Sequence, residues 1–134
     1  MAAAACGMTS LAGDSEDASD GTRVGDVVKL TNSEDQSSLN PSLAWTGSEL
    51  GVAWQEWRDG DYNVEIFMAR LSPDGAILAP DIRLTDTEGS SDRLMAHVNI
   101  WPALAWNGYE YGLLWIDEWN GDLHLRFACI PADG

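Results

Sequence analysis

"PSLAWTGSELGVAW" (Pro41 to Trp54) returns further along as "PALAWNGYEYGLLW" (Pro102 to Trp115). Eight of the fourteen positions are identical: Pro41/Pro102, Leu43/Leu104, Ala44/Ala105, Trp45/Trp106, Gly47/Gly108, Glu49/Glu110, Gly51/Gly112 and Trp54/Trp115. Such self-similarity is the signature of a repeat architecture, in which one unit cannot bury its hydrophobic faces alone. The match continues downstream. Gly60-Asp61 align with Gly121-Asp122, the second copy drops two residues, and Ile66/Leu125, Ala69/Ala128, Leu71/Ile130, Asp74/Asp133 and Gly75/Gly134 then correspond. Upstream, "KLT" (Lys29 to Thr31) matches "RLT" (Arg83 to Thr85). The second copy carries seven extra residues between Thr85 and Pro102, which reads as a longer loop, and Arg93 to Trp101 is its most individual part. The units therefore span about 32–85 and 86–134, with 27–31 as a strand belonging to the unit before.

Inside one unit, short apolar runs rich in β-branched and aromatic residues alternate with turn residues, and no apolar spacing of three and four recurs, so the elements are strands. The first unit yields four: Ser42 to Trp45, Leu50 to Trp57, Val64 to Leu71 and Asp81 to Thr85. Between them lie Thr46-Gly47, the acidic turn Arg58 to Asp61, and "SPDG" at Ser72 to Gly75, where Pro presets φ and Gly accepts the left-handed position. In the second unit Asn107-Gly108 replaces Thr46-Gly47, and Asn-Gly is a strong hairpin signal because both residues accept positive φ. Trp45, Trp54, Trp106 and Trp115 recur between small Ala and Gly residues and are expected in the core.

The expected fold class is all-β, two four-stranded antiparallel units of the kind that form β-propeller blades. Two such units do not close a ring, which takes about four to eight. The chain is therefore expected either to assemble as a homo-oligomer, three copies giving six blades and four giving eight, or to be part of a larger propeller.

The pattern P-x-hydrophobic-A-W-N/T-G-x-E, followed by W-x-D/E-x-R-x-G-D, an A-R-hydrophobic-S-x-D-G turn and a final R-L-T strand, resembles the repeat of many bacterial surface and secreted β-propeller proteins. It covers residues 24 to 134. The second copy departs from it with Trp119 and Asn120 where the first has Arg58 and Asp59. The resemblance implies a fold and a secreted or lipid-anchored, extracytoplasmic setting; it implies no single activity, so function rests on a site.

Composition narrows the partners. The chain has 134 residues, 22 acids against seven Lys and Arg, and a net charge of −15, so a phosphate backbone is repelled and nucleic acid is not an expected partner. No run approaches the roughly eighteen apolar residues of a membrane-spanning helix. The two cysteines, Cys6 and Cys129, stand far apart and make no zinc pattern. Residues 1–23 are small, polar and acidic and read as a disordered leader or linker. Small residues directly before Cys6, with an acidic tether after it, resemble the end of a bacterial lipoprotein signal, which makes Cys6 a candidate for acylation; the plainer reading is a flexible tail with a free thiol.

Two site candidates follow. "DGDYNVE" sets oxygen-bearing side chains at alternate positions, Asp59, Asp61, Asn63 and Glu65, as Ca²⁺ ligation uses; a solvated hairpin turn is the plainer reading, and no other cofactor is expected. Around the same turn and its repeat, Glu56, Trp57, Arg58, Tyr62, Asp117, Glu118 and Trp119 combine aromatics with carboxylates, as carbohydrate recognition does. Partners expected on this reading are a glycan or a protein at the cell surface. Glu56, Asp59, Asp117 and Glu118 also supply the carboxylates a glycosidase needs, but no Gly-rich phosphate loop or G-x-S-x-G elbow is present. A non-catalytic binding or structural scaffold is the leading expectation, ahead of a lectin-like propeller and of a piece of a propeller glycoside hydrolase.

Overall fold

The computed structural model describes residues 25–31, 37–58, 63–87 and 97–133. Within them the chain is all-β, with seven strands and no helix. β1 (Ser38–Trp45), β2 (Leu50–Glu56), β3 (Asn63–Leu71) and the two-residue β4 (Ile82–Arg83) make the first unit. β5 (His97–Trp106), β6 (Glu110–Trp119) and β7 (Asp122–Pro131) make the second. Strands pair antiparallel within each unit, as short hairpin connections require.

The two units are not separate sheets, as the sequence led us to expect. A short parallel ladder, Asn63 opposite His97 and Val64 opposite Val98, joins β3 to β5, and the strands form one open sheet in the order β1-β2-β3-β5-β6-β7 with β4 also on β3. The edge of β3 that β4 leaves unpaired at residues 63 and 64 takes the start of β5. Hence His97 to Trp101, expected in a loop, belongs to a strand, where Val98 and Ile100 pair with Glu118 and Ile116. The segment Val27 to Thr31, expected as a strand, pairs with nothing as one; Leu30 only rests against the core of the first unit.

The repeat reaches further in the backbone than in residue identity. β1 and β5 each carry an irregularity, between Leu39 and Ser42 and between Ile100 and Ala103. At its centre sits a non-glycine residue with positive φ directly before a proline: Asn40 at 52° before Pro41, and Trp101 at 55° before Pro102. That conformation is strained for residues with a Cβ and persists only where surroundings fix it. The fixing group is Gln55, buried, whose Oε1 accepts from Asn40 Nδ2 at 2.8 Å and from the Trp101 amide at 2.9 Å. This bulge also explains why β1 begins at Ser38 rather than at Ser42.

The β1–β2 and β5–β6 turns match as well. Thr46 N donates to Glu49 O at 3.0 Å and Asn107 N to Glu110 O at 3.2 Å, while Thr46 Oγ1 and Asn107 Oδ1 each accept two amides of their own loop. Of Asn107 and Gly108 only Gly108 has positive φ, so this is not the two-residue Asn-Gly turn expected there. That turn occurs at Asn120-Gly121, with φ of 52° and 84°, and it joins β6 to β7.

Cross-strand partners share a face, which assigns the core. One face of the first unit, Ala44, Ala53, Ile66 and Met68, packs against Leu104, Tyr111, Leu113 and Ile130 of the second in a single cluster. The other face of the first unit gathers Val52, Trp54, Phe67, Ala69 and Leu71, with Leu30 and Leu50 against them. Of the four repeated tryptophans only Trp54 is buried; Trp106 and Trp115 are half-buried, and Trp45 is exposed on the outer side of β1. Identical residues thus differ in burial because only some faces have a neighbour.

Gly51 faces Tyr111 across the contact between the units. A Cβ on Gly51 would lie 2.5 and 2.8 Å from two atoms of the Tyr111 ring, whereas on its repeat partner Gly112 it would lie 3.1 Å from the ring of Phe127, which is exposed. Tyr111 Oη donates to Glu49 Oε1 at 3.2 Å, and Glu49 is held by a bidentate Arg70, Nε to Oε1 at 2.8 Å and Nη2 to Oε2 at 2.9 Å. Burial and the neighbouring Glu49 charge push the Tyr111 phenol up to about 12. Overpacking at a buried contact costs about 1–3 kcal/mol. Gly51→Ala is therefore expected to destabilise by that amount and Gly112→Ala by less than about 0.5 kcal/mol, since the Phe127 ring is free to move. Chemical denaturation of both variants reads this, and equal losses would contradict the interface.

Candidate functional site

The turn ends of β2 and β3 and those of β5, β6 and β7 lie at one end of the sheet, because His97 stands beside Asn63 and Asp117 corresponds to Glu56 in the repeat. Sequence reasoning placed its ligand-site candidates there. The structure divides them into two clusters, one on each unit.

On the first unit, the carboxylate of the fully buried Glu56 accepts from Trp54 Nε1 at 2.7 Å and from Arg58 Nη2 at 2.9 Å. Arg58 also pairs with Asp81 at 2.6 Å and lies over the Phe67 ring, 3.7 Å from its centroid. Arg58 therefore spans a polar and an aromatic partner at once, the arrangement its planar guanidinium favours. Trp57 is half-buried and its amide donates to Ser37 O. Asp59, Asp61 and Tyr62 lie outside the described residues.

On the second unit, Asp117 is held between His97 and Arg126. His97 Nε2 lies 2.7 Å from Oδ1, and Arg126 Nε donates to Oδ2 at 2.7 Å. Burial pushes the Asp117 carboxyl up, but the hydrogen bonds from Arg126 and His97 outweigh it and hold the group below the usual carboxylate range. Trp119 leans on His97, ring centroids 4.8 Å apart at 57°, and leaves part of its ring in solvent. Glu118 points to the opposite face, between Val98 and Leu123.

A third cluster joins the units and was not anticipated. Glu65 accepts from the Thr87 amide at 2.7 Å, Thr87 Oγ1 at 2.6 Å, Asn99 Nδ2 at 3.0 Å and the hydroxyl of Thr85, with Arg83 at 3.3 Å. Asn99 in turn accepts Trp115 Nε1 at 2.7 Å. Glu65 thus takes its donors from β5 and from the segment that follows β4. Asn63 Nδ2 donates to Thr87 O at 3.2 Å, and its Oδ1 is buried without a partner. Among the described residues no group of three or more His, Cys, Asp or Glu side chains is placed to hold a metal ion. Nor is any helix long and apolar enough to cross a membrane.

The residues that sequence reasoning missed, His97 and Arg126, carried a signal. The two-residue turn at Asn120-Gly121 fixes Trp119 opposite Asp122, which sets His124 opposite Asp117 and Arg126 diagonal to it. His97 could not be placed that way, since β5 sets it opposite Trp119 only beyond the register shift between Ile100 and Ala103.

Comparison with protein-family models, with curated proteins and with solved structures finds no match for this chain.

The lowered Asp117 pKa sets a pH dependence. Because the folded value lies below the unfolded one, the contribution is present above the unfolded value, near pH 4, and is lost as pH falls through the folded one. Wild-type stability is expected to fall more steeply than that of Asp117→Asn as pH is lowered from about 5 to 2. Parallel curves in acid denaturation would contradict the pairing with Arg126 and His97.

Proposed function

We propose that this chain is a pair of β-propeller blades from an extracytoplasmic bacterial protein and works as a non-catalytic binding or structural scaffold. One observation carries this reading: the acids at the turn end of both units are engaged by neighbours of the same chain. Glu56 is held by Trp54 and Arg58, Glu65 by Thr85, Thr87 and Asn99, and Asp117 by His97 and Arg126. Carboxylates in such roles fix strands to one another, whereas glycoside hydrolysis needs two of them aimed at one bond, with about 5 to 9.5 Å between them. The face-to-face packing of two matched antiparallel units is in keeping with neighbouring blades, whose flat faces cover each other. Lipid anchoring through Cys6 fits the same setting and rests on the sequence around it.

A second reading is favoured by Trp119, whose partly open ring packs on His97, itself hydrogen-bonded to Asp117 on the second unit. An aromatic face with charged hydrogen-bonding groups at its rim is what a sugar ring stacks on. The two are separated by assaying the purified chain on a glycan array and on a panel of chromogenic glycosides. The scaffold reading predicts no turnover, and no retention on glycans; retention abolished by Trp119→Ala would establish the lectin-like reading in its place. Turnover abolished by Asp117→Asn in a folded variant would overturn both.

A further inference from the structure

The second unit leaves one whole sheet face uncovered. Leu114, Leu123, Leu125 and Phe127 lie on it, with Leu125 71% and Phe127 64% exposed. Ala103 and Cys129 are exposed on the same face, through their pairing with Leu114 and Gly112. Monomeric proteins seldom expose a contiguous apolar surface of this kind without a partner for it.

The repeat says what covers it. Leu114, Leu125 and Phe127 stand at the positions of Ala53, Ile66 and Met68, and Gly112 stands at that of Gly51. In the first unit that face is covered by the second, through Leu104, Trp106, Tyr111 and Leu113. The corresponding residues of the first unit are Leu43, Trp45, Leu50 and Val52. Two of these, Leu43 at 60% and Trp45 at 44%, are exposed on the outer side of β1, while Val52 is buried in the cluster that Leu30 and Leu50 pack against, so the open part of this face is its β1 edge. The chain therefore carries both halves of one contact, on opposite sides, and neither half can reach the other within one copy.

The polar part of the contact changes on both sides apart from the carboxylate, which is kept: Glu110 stands at the position of Glu49. At the existing interface Glu49 and Arg70 receive the Tyr111 hydroxyl. At the open face the equivalents of Arg70 and Tyr111 are Cys129 and Leu50, so a cation and a phenol are both replaced by apolar groups. Without the cation and the phenol no lone hydroxyl or guanidinium faces an apolar group, and the half-buried Glu110 has the Cys129 thiol as its neighbour.

We propose that the Leu114/Leu125/Phe127 face of one copy docks on the Leu43/Trp45 face of a second copy of this chain, repeating between chains the packing that joins the two units within one. The proposal deepens the propeller reading, yet it rests on the repeat and the exposed faces and stands whether or not a ligand is bound. A head-to-tail contact of this type either closes into a ring or runs on as a filament. Propellers close at about four to eight units, and three or four copies, giving six or eight, fall within that range.

The test is light scattering of the full chain on a sizing column, with Phe127→Asp, Leu125→Lys and Leu43→Asp beside wild type. Each substitution lies at an exposed position, outside the cluster between the units, and far-ultraviolet circular dichroism with a cooperative melt checks that each variant folds. Wild type is expected as a discrete trimer or tetramer and each variant as a monomer. Phe127→Asp retains an intact first-unit face and Leu43→Asp an intact second-unit face, so an equimolar mixture of the two is expected to form a heterodimer and nothing larger. A monomeric wild type at tens of micromolar overturns the proposal. So does a Leu43→Asp variant that still self-associates while Phe127→Asp does not, which would mean the open face pairs with its own copy. Failure of the mixture to associate, with both variants folded, overturns it as well.

Discussion

A glycine set against a tyrosine holds this fold together. The cluster that joins the units exists only where the two are laid over each other, and that approach is as close as it is because Gly51 has no side chain above which the Tyr111 ring must ride; the first unit also buries Val52, Trp54 and Phe67 on its other face. Ala44, Ala53, Ile66 and Met68 then meet Leu104, Leu113 and Ile130 around the ring. The phenol oxygen ends on Glu49, already clamped by Arg70, so the apolar contact finishes in a satisfied polar group rather than in an orphan.

The strongly acidic composition works through the same geometry. Buried carboxylates are tolerated when donors surround them, and here the donors come from the same stretch of chain for Glu56 and from neighbouring segments, strands or the other unit for Glu65 and Asp117. Glu65 is the clearest case: its partners Thr85 and Thr87 follow β4, and Asn99 lies on β5, so one carboxylate fixes the joint between the units. Asn99 passes the linkage to Trp115 Nε1, and Gln55 performs a comparable service for the two strained bulges before Pro41 and Pro102. Polar groups of this kind select one register and one relative placement, a role the apolar cluster alone fills poorly.

The sequence carried the repeat, the strands β2 and β3 to within a residue, and the β3–β4 turn at Ser72 to Gly75, because each of these is decided by local chemistry: alternation, glycine where φ is positive, proline where it is fixed. It did not carry burial. Trp45 and Trp106 occupy identical repeat positions, and one is exposed while the other packs on Tyr111, because a neighbour is present on one side only. Nor did it carry the Glu65 cluster, which depends on a parallel ladder between strands separated by the insertion of the second unit. The Asp117 cluster stood between these cases. The register of the Asn120-Gly121 hairpin brings Arg126 to Asp117, but His97 arrives from β5, on the other side of β6, beyond a bulge that shifts the register.

The central claim is that each unit is incomplete and that the other completes it. It is tested most directly by preparing the two units as separate peptides, divided between Thr87 and His97, and following circular dichroism and tryptophan fluorescence of each alone and of the equimolar mixture. Each peptide alone should lack a cooperative thermal transition, and mixing should restore one together with the blue shift of tryptophan emission that burial produces. A cooperative transition in either peptide by itself, unchanged on mixing, would contradict the claim.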